Sequence, residues 1–425
     1  MQFPIILKRK FCVYVEYNIK AFKKGENIIM NFLVGLDIGS KKIKASAGFI
    51  DVEGKIQILG TTSSDSMGIK KGVVVDIENA SKSINICISQ LERIIDEEIS
   101  EVYISISDLE CESIVNKGIV AISQNSREIN VSDVERVKNA AKVISVPYDK
   151  EVIGITPIQY IVDGYDNIKD PVGMNGTRLE IEANLILANS TVINSFLKCI
   201  DNNSLKLSGL VLNSTAVIAS ILSNNEKKMG ALVIDVGGDK TDFYVIKDNK
   251  LIISYTLGLG GNNITNDISI CCKVTYDEAE KIKVKYASIN SSDEDEIKLS
   301  SSFDEQNIKV NYLNRIIEAR IEEILQLVKK KIDPTIFEET DSVILIGGGI
   351  AAIKNIEEFS KSILGKTVRI GIPKYMGSTS PIFALSVGIV EDSLNATKEY
   401  NIQSAEKTNK ESIFKRIKDI FTDFF

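Results

Sequence analysis

Two stretches of the chain end an apolar run in a carboxylate and place glycine two residues later: Leu33-Val34-Gly35-Leu36-Asp37-Ile38-Gly39-Ser40 and Leu232-Val233-Ile234-Asp235-Val236-Gly237-Gly238. A carboxylate at a strand tip can order the waters around Mg²⁺, an ion that keeps several waters and takes only one or two carboxylates. Asp37 and Asp235 are the candidates, both as metal-ordering and as catalytic groups. Gly39-Ser40 and Gly237-Gly238 lack the side chains that would keep backbone N–H groups away from phosphate oxygens. Ser40 and Thr241 would add hydroxyls, and Lys41 and Lys44 cations. Either hairpin alone reads equally well as a plain turn; two in matched frames imply one plan built twice, with both turns clamping one triphosphate. A third cluster, Gly347-Gly348-Gly349, follows the apolar run Val343 to Ile346 and predicts a strand, a glycine turn and a helix, a shape that suits a flat nucleoside.

The elements that must hold these groups are strand, tight turn, strand, turn, strand over Phe32–Leu59, and again over Ala231–Tyr255. The 425 residues, 44% hydrophobic and 26% charged, suffice for two to four domains of ordinary size and exclude collagen, coiled coil and general disorder. A net charge of -7 argues against a nucleic-acid groove, which needs a basic stripe. The chain has no histidine, which removes His triads, imidazole bases and His metal ligands. Its six cysteines form no CxxC pair and read as reduced core thiols, the vicinal Cys271-Cys272 included. No apolar run reaches the ~20 residues of a membrane-spanning helix. Residues 1–29, with Lys8, Arg9, Lys10, Lys20, Lys23 and Lys24, lack the apolar core of an export signal. Lys23-Lys24-Gly25-Glu26 can be spelled as a purine-rich ribosome-binding stretch before Met30, so 1–29 is expected to be a non-native extension.

The ordered set Asp37-x-Gly39-Ser40, Asp235-x-Gly237-Gly238-x-x-Thr241 and Gly347-Gly348-Gly349 resembles the actin, Hsp70 and sugar-kinase superfamily. Tyr276 to Lys283 is similar to the ribose-side helix of bacterial actins, and Ser208 to Ser220 and Ser378 to Val390 to the two helices that connect the halves. From about Asn31 to Asp392 the whole plan resembles the bacterial cell-division actin homologue FtsA. The resemblance implies an α/β, actin-like (ribonuclease H-like) two-domain ATPase fold, with a duplicated core and an inserted α+β subdomain 1C. It implies ATP and Mg²⁺ as cofactors, with Glu280 and Lys283 at the ribose. The implied organisation is 1A over 30–101 and 187–229, 1C over 102–186, 2A from 230–262, 2B over 263–319, 2B/2A over 320–376, a return to 1A at 377–392, a flexible linker at 393–410 and a terminal helix at 411–425. The polar stretch 288–310 reads as a mobile loop.

The same resemblance implies that the Val310–Ile332 helix receives the C-terminal peptide of the tubulin homologue FtsZ through Arg320 and Glu323, although its charge pattern alone reads first as a solvated amphipathic face. It also implies self-assembly into an actin-like polymer and contacts of other division proteins with 1C, at the cytoplasmic face of the septal membrane. In the tail, Ile413, Phe414, Ile417, Ile420, Phe421, Phe424 and Phe425 form one helical stripe with Lys415, Arg416 and Lys418 off it, the pattern of an interfacial anchor on anionic lipid. A docking or partner helix is the other reading. Asn213 stands where many relatives have Glu or Gln, which implies nucleotide binding with slow hydrolysis. A small-molecule kinase, with Asp239 or Asp242 as base, and a PilM-type pilus-assembly homologue are the alternative functions.

Overall fold

A computed structural model of the protein describes residues 32–123, 127–289, 296–300, 305–375 and 380–396. The N-terminal extension, Ser378, Thr379 and the terminal helix expected at 411–425 lie outside the described residues.

The chain folds as the same sheet twice. In the first half, Leu33–Ile38 and Lys42–Ile50 form a hairpin and Ile56–Asp65 extends it; Glu101–Ile106 and then Lys206–Leu212 add on the other side. The order of the second half, from Lys250–Leu257 through Thr241–Lys247, Ala231–Val236 and Ser342–Ile346 to Thr367–Ile370, is identical. In both, the hairpin is antiparallel and the later strands pair parallel to its first strand. Leu232, Val233 and Ile234 are wholly buried, as expected of a strand covered on both faces. The registers coincide too: Asp37 sits opposite Lys44, and Asp235 opposite Asp242.

Parallel neighbours need crossovers, and the crossovers are where the halves differ. Helix Ile77–Ile95, capped by the Asp76 carboxylate on Asn79 N–H, makes the first one in the first half. The equivalent passage in the second half carries helices Gly261–Cys272, Tyr276–Tyr286 and Val310–Lys331. An additional domain follows strand Glu101–Ile106. Cys111–Ala121, Arg178–Asn189, Lys150–Val162 and Tyr165–Ile168 form its antiparallel sheet, and helix Val131–Lys142, which opens in a capping box of Asn130 with Asp133, packs on it. Val137, Ala141, Leu179, Ile181 and Leu185 give this domain its own core.

Two helices join the halves, Asn213–Ile221 and residues 384–396. They cross with backbone almost touching: a Cβ on Gly388 would lie 1.9 Å from the Ala216 carbonyl oxygen. The Ser220 hydroxyl donates to the Ala384 carbonyl at 2.7 Å, and Ser46 and Ser386 hydroxyls bond at 2.7 Å.

Four local expectations need correction. Ser208 to Leu212 is strand, and the connecting helix begins only at Asn213. The second connecting helix runs through residue 396, because Leu394 and Ala396 are buried; its last turn occupies the start of the stretch expected as linker. Within 288–310, Glu296–Ser300 and Glu305–Lys309 pair as a hairpin. Cys271 is exposed at the end of its helix, and of the vicinal pair Cys272 alone is buried.

Candidate functional site

Between the halves lies a cleft of about 420 Å³ lined by Asp37, Gly39, Ser40, Lys41 and Lys44 from one hairpin and by Asp235, Gly237 and Gly238 from the other. Glu280, Lys283, Gly347, Gly348 and Gly349 line it as well. The duplicated sheets explain the convergence, since each points the turn of its hairpin at the other.

The charges of the floor are arranged unequally. Lys44 Nζ bonds Asp37 Oδ2 at 2.5 Å, a pair closed within the first hairpin. Opposite Asp235, however, stands a second carboxylate, Asp242. Burial first and Asp242 second push the Asp235 carboxyl up to about 7. Asp242 is itself held by Lys240 Nζ at 2.9 Å and by the Thr256 hydroxyl at 2.5 Å. Lys240 reaches on to the Ser107 hydroxyl of the first half at 3.1 Å. Beside it, burial raises the Asp108 carboxyl to about 6, although the Ser214 N–H donates to it at 3.0 Å. Asn213 is 8% exposed and lines the cleft, and its Oδ1 has no hydrogen-bond partner.

Glycines supply close approach. A Cβ on Gly347, whose φ is +88°, would fall 2.3 Å from Asp235 Oδ1, so a side chain there would displace the carboxylate. Gly237 N–H closes its own turn on the Lys240 carbonyl at 2.9 Å, and the Gly237 and Gly238 carbonyls accept N–H bonds from Gly261 and Asn262. After Gly349 the backbone turns for several residues and the expected helix begins only at Ile356.

Three predicted site residues sit otherwise than expected. Thr241 is wholly buried and its hydroxyl donates to the Leu259 carbonyl at 2.8 Å. Strand alternation is the reason: with Asp242 on the cleft side, Thr241 must face the core. Lys283 is 7% exposed, with its ammonium on Glu280 at 2.8 Å, the Thr265 hydroxyl at 2.7 Å and the Gly261 carbonyl at 3.1 Å. It ties two helices together, and burial lowers its pKa despite Glu280. Arg320 is engaged within the chain, by Asp267 through Nε at 2.6 Å and Nη2 at 2.9 Å, and by Glu323 through Nη1. Lys41 stands 5.4 Å from the centre of the Tyr276 ring, across the cleft. Lys240, Ser107, Asp108 and Asn262 were not foreseen. Counting register back from Asp235 would have put Asp242 beside it and Lys240 on the same face.

Comparison with known proteins accords with this architecture. The family model "Cell division protein FtsA" matches residues 232–388, and that for the SHS2 domain inserted in FtsA matches residues 110–187, the additional domain. The chain is similar to the Cell division protein FtsA of Bacillus subtilis, 32% identical over 363 residues, 84% of this chain and 82% of that one. It is similar also to that of Enterococcus faecalis, 32% identical over 376 residues, 87% and 85% of the two chains. Among solved structures it is similar to the PilM-PilN type IV pilus biogenesis complex, with TM-score 0.56 and 15% identity over 85% of this chain and 98% of that one. The likeness to MreB5 of Spiroplasma citri bound to ADP has TM-score 0.53 and 13% identity, over 88% and 98%. At these identities the structures share a fold, the actin-like ATPase fold. The curated relatives carry the likeness further, and the chain belongs to the FtsA family of cell-division proteins.

Proposed function

We propose that this cell-division protein binds Mg-ATP in the cleft between its halves and, with it bound, polymerises and ties FtsZ filaments to the membrane through residues 411–425. The observation that carries the reading is the pair of facing hairpins, each with a carboxylate at its strand tip and glycine in its turn, joined by the Gly347 turn that passes within a Cβ of Asp235. The unpartnered Asn213 Oδ1 and Asp235, which faces the second carboxylate Asp242, fit a hydrated cation with phosphate at the floor. Among the described residues no three carboxylates or thiols gather to hold a metal. Asp37 and Asp235 would therefore act through water, with phosphate oxygens completing the shell, as Mg²⁺ prefers. When bound, the ion would offset phosphate charge and polarise the terminal phosphoryl group.

The chain's own residues divide the remaining work. Lys41 and Lys44 meet phosphate charge, Ser40 supplies a hydroxyl, Gly348 and Gly349 leave a flat surface for the base, and Glu280 meets the ribose. Asn213 is a neutral amide on a short stem, able to orient a water but not to take its proton. Slow turnover follows, and the nucleotide serves mainly as a clamp. Both carboxylates that a kinase reading would use are engaged, Asp242 by Lys240, and Asp239 by Asn262 Nδ2 at 2.7 Å and Lys71 N–H at 3.2 Å.

Among the described residues no helix is long and apolar enough to cross a membrane. The amphipathic stripe at 413–425 would lie in the interface, weakly as a single copy; a polymer arrays many copies and raises their effective concentration. An FtsZ tail at Arg320 would compete with Asp267, so that site exchanges one acidic partner for another. The testing experiment is liposome co-sedimentation with Mg-ATP, comparing residues 30–425 with a chain ending at Asn409 on anionic and neutral vesicles. Pelleting of the longer chain alone, stronger on anionic lipid, is the expected result; equal behaviour of both chains overturns the membrane reading.

A further inference from the structure

The second hairpin touches the first half through two consecutive residues of its turn. Asp239 accepts from Lys71 N–H at 3.2 Å, and Lys240 Nζ donates to the Ser107 hydroxyl at 3.1 Å while pairing with Asp242 at 2.9 Å. Ser107 follows directly on strand Glu101–Ile106, so this one ammonium spans the two sheets at the cleft floor. The other described lysines of the cleft differ. Lys44 is paired inside its own hairpin, Lys42 with Asp65 of the first half and Lys283 inside the second half, and Lys41 reaches across to the Tyr276 ring.

We propose that Lys240 is a specificity residue that reads the terminal phosphate of the nucleotide and, by giving up Ser107 for it, couples that phosphate to the contact between the halves. This rests on the nucleotide reading above. The geometry follows from the two ends of the cleft. A base placed on Gly348-Gly349 with its ribose at Glu280 would send the phosphate chain toward Asp37, Asp235 and Lys240, which line the same cleft, with its last member toward Lys240. An ammonium on a four-carbon stem can change partners with little backbone movement. Asp242 is not stranded when this happens, because the Thr256 hydroxyl stays on it at 2.5 Å. A doubly charged terminal phosphate is a stronger acceptor for Lys240 than a neutral serine hydroxyl. A diphosphate ends one phosphate short and leaves the Ser107 contact in place. No residue type is special here by itself; the inference comes from one half-buried cation bonded to both halves at the site where the third phosphate would arrive.

The test measures the dissociation constants of Mg-ATP and Mg-ADP for the full chain, by displacement of a fluorescent nucleotide, in wild type, Lys240→Met and the double variant Lys240→Met with Asp242→Asn. The double variant removes the pair as a unit and keeps the floor neutral if the single variant folds poorly. Hydrogen exchange at residues 105–110 is read in parallel. In both variants the ratio of ATP to ADP affinity is expected to fall about tenfold, with ADP affinity changed less than about threefold. ATP, but not ADP, is expected to alter exchange at 105–110 in wild type, and neither does so in the variants. Equal losses for both nucleotides, or an unchanged ratio, overturn the role of Lys240 while the nucleotide reading stands. Failure of wild type to bind either nucleotide overturns both.

Discussion

The two cleft hairpins share strand order, turn length and register, yet only the first is charge-matched by itself. Across from Asp37 stands Lys44; across from Asp235, at the same register position, stands Asp242. The compensating cation of the second hairpin comes from inside its turn and leans on Ser107 of the other half. A second asymmetry lies one strand over: where the second half follows Ser342–Ile346 with Gly347-Gly348-Gly349, the first follows Glu101–Ile106 with Ser107-Asp108. Duplication thus preserved backbone geometry, which hydrogen bonds and close packing dictate, and let the side chains at the cleft diverge. One half keeps its electrostatics private, and the other makes them depend on contact between halves.

Removing each cation should break this comparison most sharply. Lys44→Met leaves Asp37, 6% exposed, without its counter-charge and should destabilise the fold by about 3–5 kcal/mol in urea unfolding. Lys240→Met should cost only about 1–2 kcal/mol, since Thr256 remains on Asp242. Equal costs would mean the hairpins are electrostatically alike after all. Next in size, Gly347→Ala drives a Cβ into the Asp235 carboxylate and strains a positive φ, with an expected loss of about 2–3 kcal/mol by the same measurement. Its counterpart Ser107→Gly should cost under about 1 kcal/mol.

The pH dependence separates two carboxylates, Asp108 and Glu226, with opposite signs. Asp108 has its carboxyl raised to about 6 by burial, from an ordinary 3.8, so its contribution to stability is full below pH 3.8 and lost as pH rises through 6. Glu226 behaves in reverse. Burial opposes its ionisation, but the Arg369 guanidinium and the N–H and hydroxyl of Ser223 hold it down at about 2, from 4.5. Its contribution is present above pH 4.5 and lost as pH falls toward 2. Thermal unfolding across pH should show Asp108→Asn flattening the decline between pH 4 and 6, and Glu226→Gln flattening the acid limb. Of similar small size, Thr241→Val should cost about 1 kcal/mol for its bond to Leu259 while leaving nucleotide affinity unchanged. A large drop in affinity would restore Thr241 to the cleft.

Much of this was legible in sequence because the motifs are local. Asp37, Gly39, Asp235, Gly237 and the Gly347 turn each sit within a few residues of an apolar strand, and repetition gave their pairing meaning. Thr241 was misplaced because the motif was matched by residue type and the alternation of the strand was not counted outward from Asp235. Ser107 and Asp108 were invisible for another reason: they reach the site only through parallel pairing of Glu101–Ile106 with Leu33–Ile38, a contact between segments far apart in the chain. Lys283 had a place in the cleft but not its bonds, since those depend on how helices Gly261–Cys272 and Tyr276–Tyr286 pack. The helical turn at 393–396 was missed because the polar residues leading into it, Asp392 and Ser393, are buried and dilute the apolar signal of Leu394 and Ala396.

The crossing of Gly388 over Ala216 sets what kind of motion the cleft permits. With no room for even a methyl group between the two backbones, that point behaves as a bearing. Sliding would drive main-chain atoms together, whereas pivoting about the contact leaves it intact. Displacements are then smallest at the bearing and grow in proportion to distance from it. An event at the phosphate turns would be expressed most strongly at the far rims of the two halves, where neighbouring subunits of a filament would have to match.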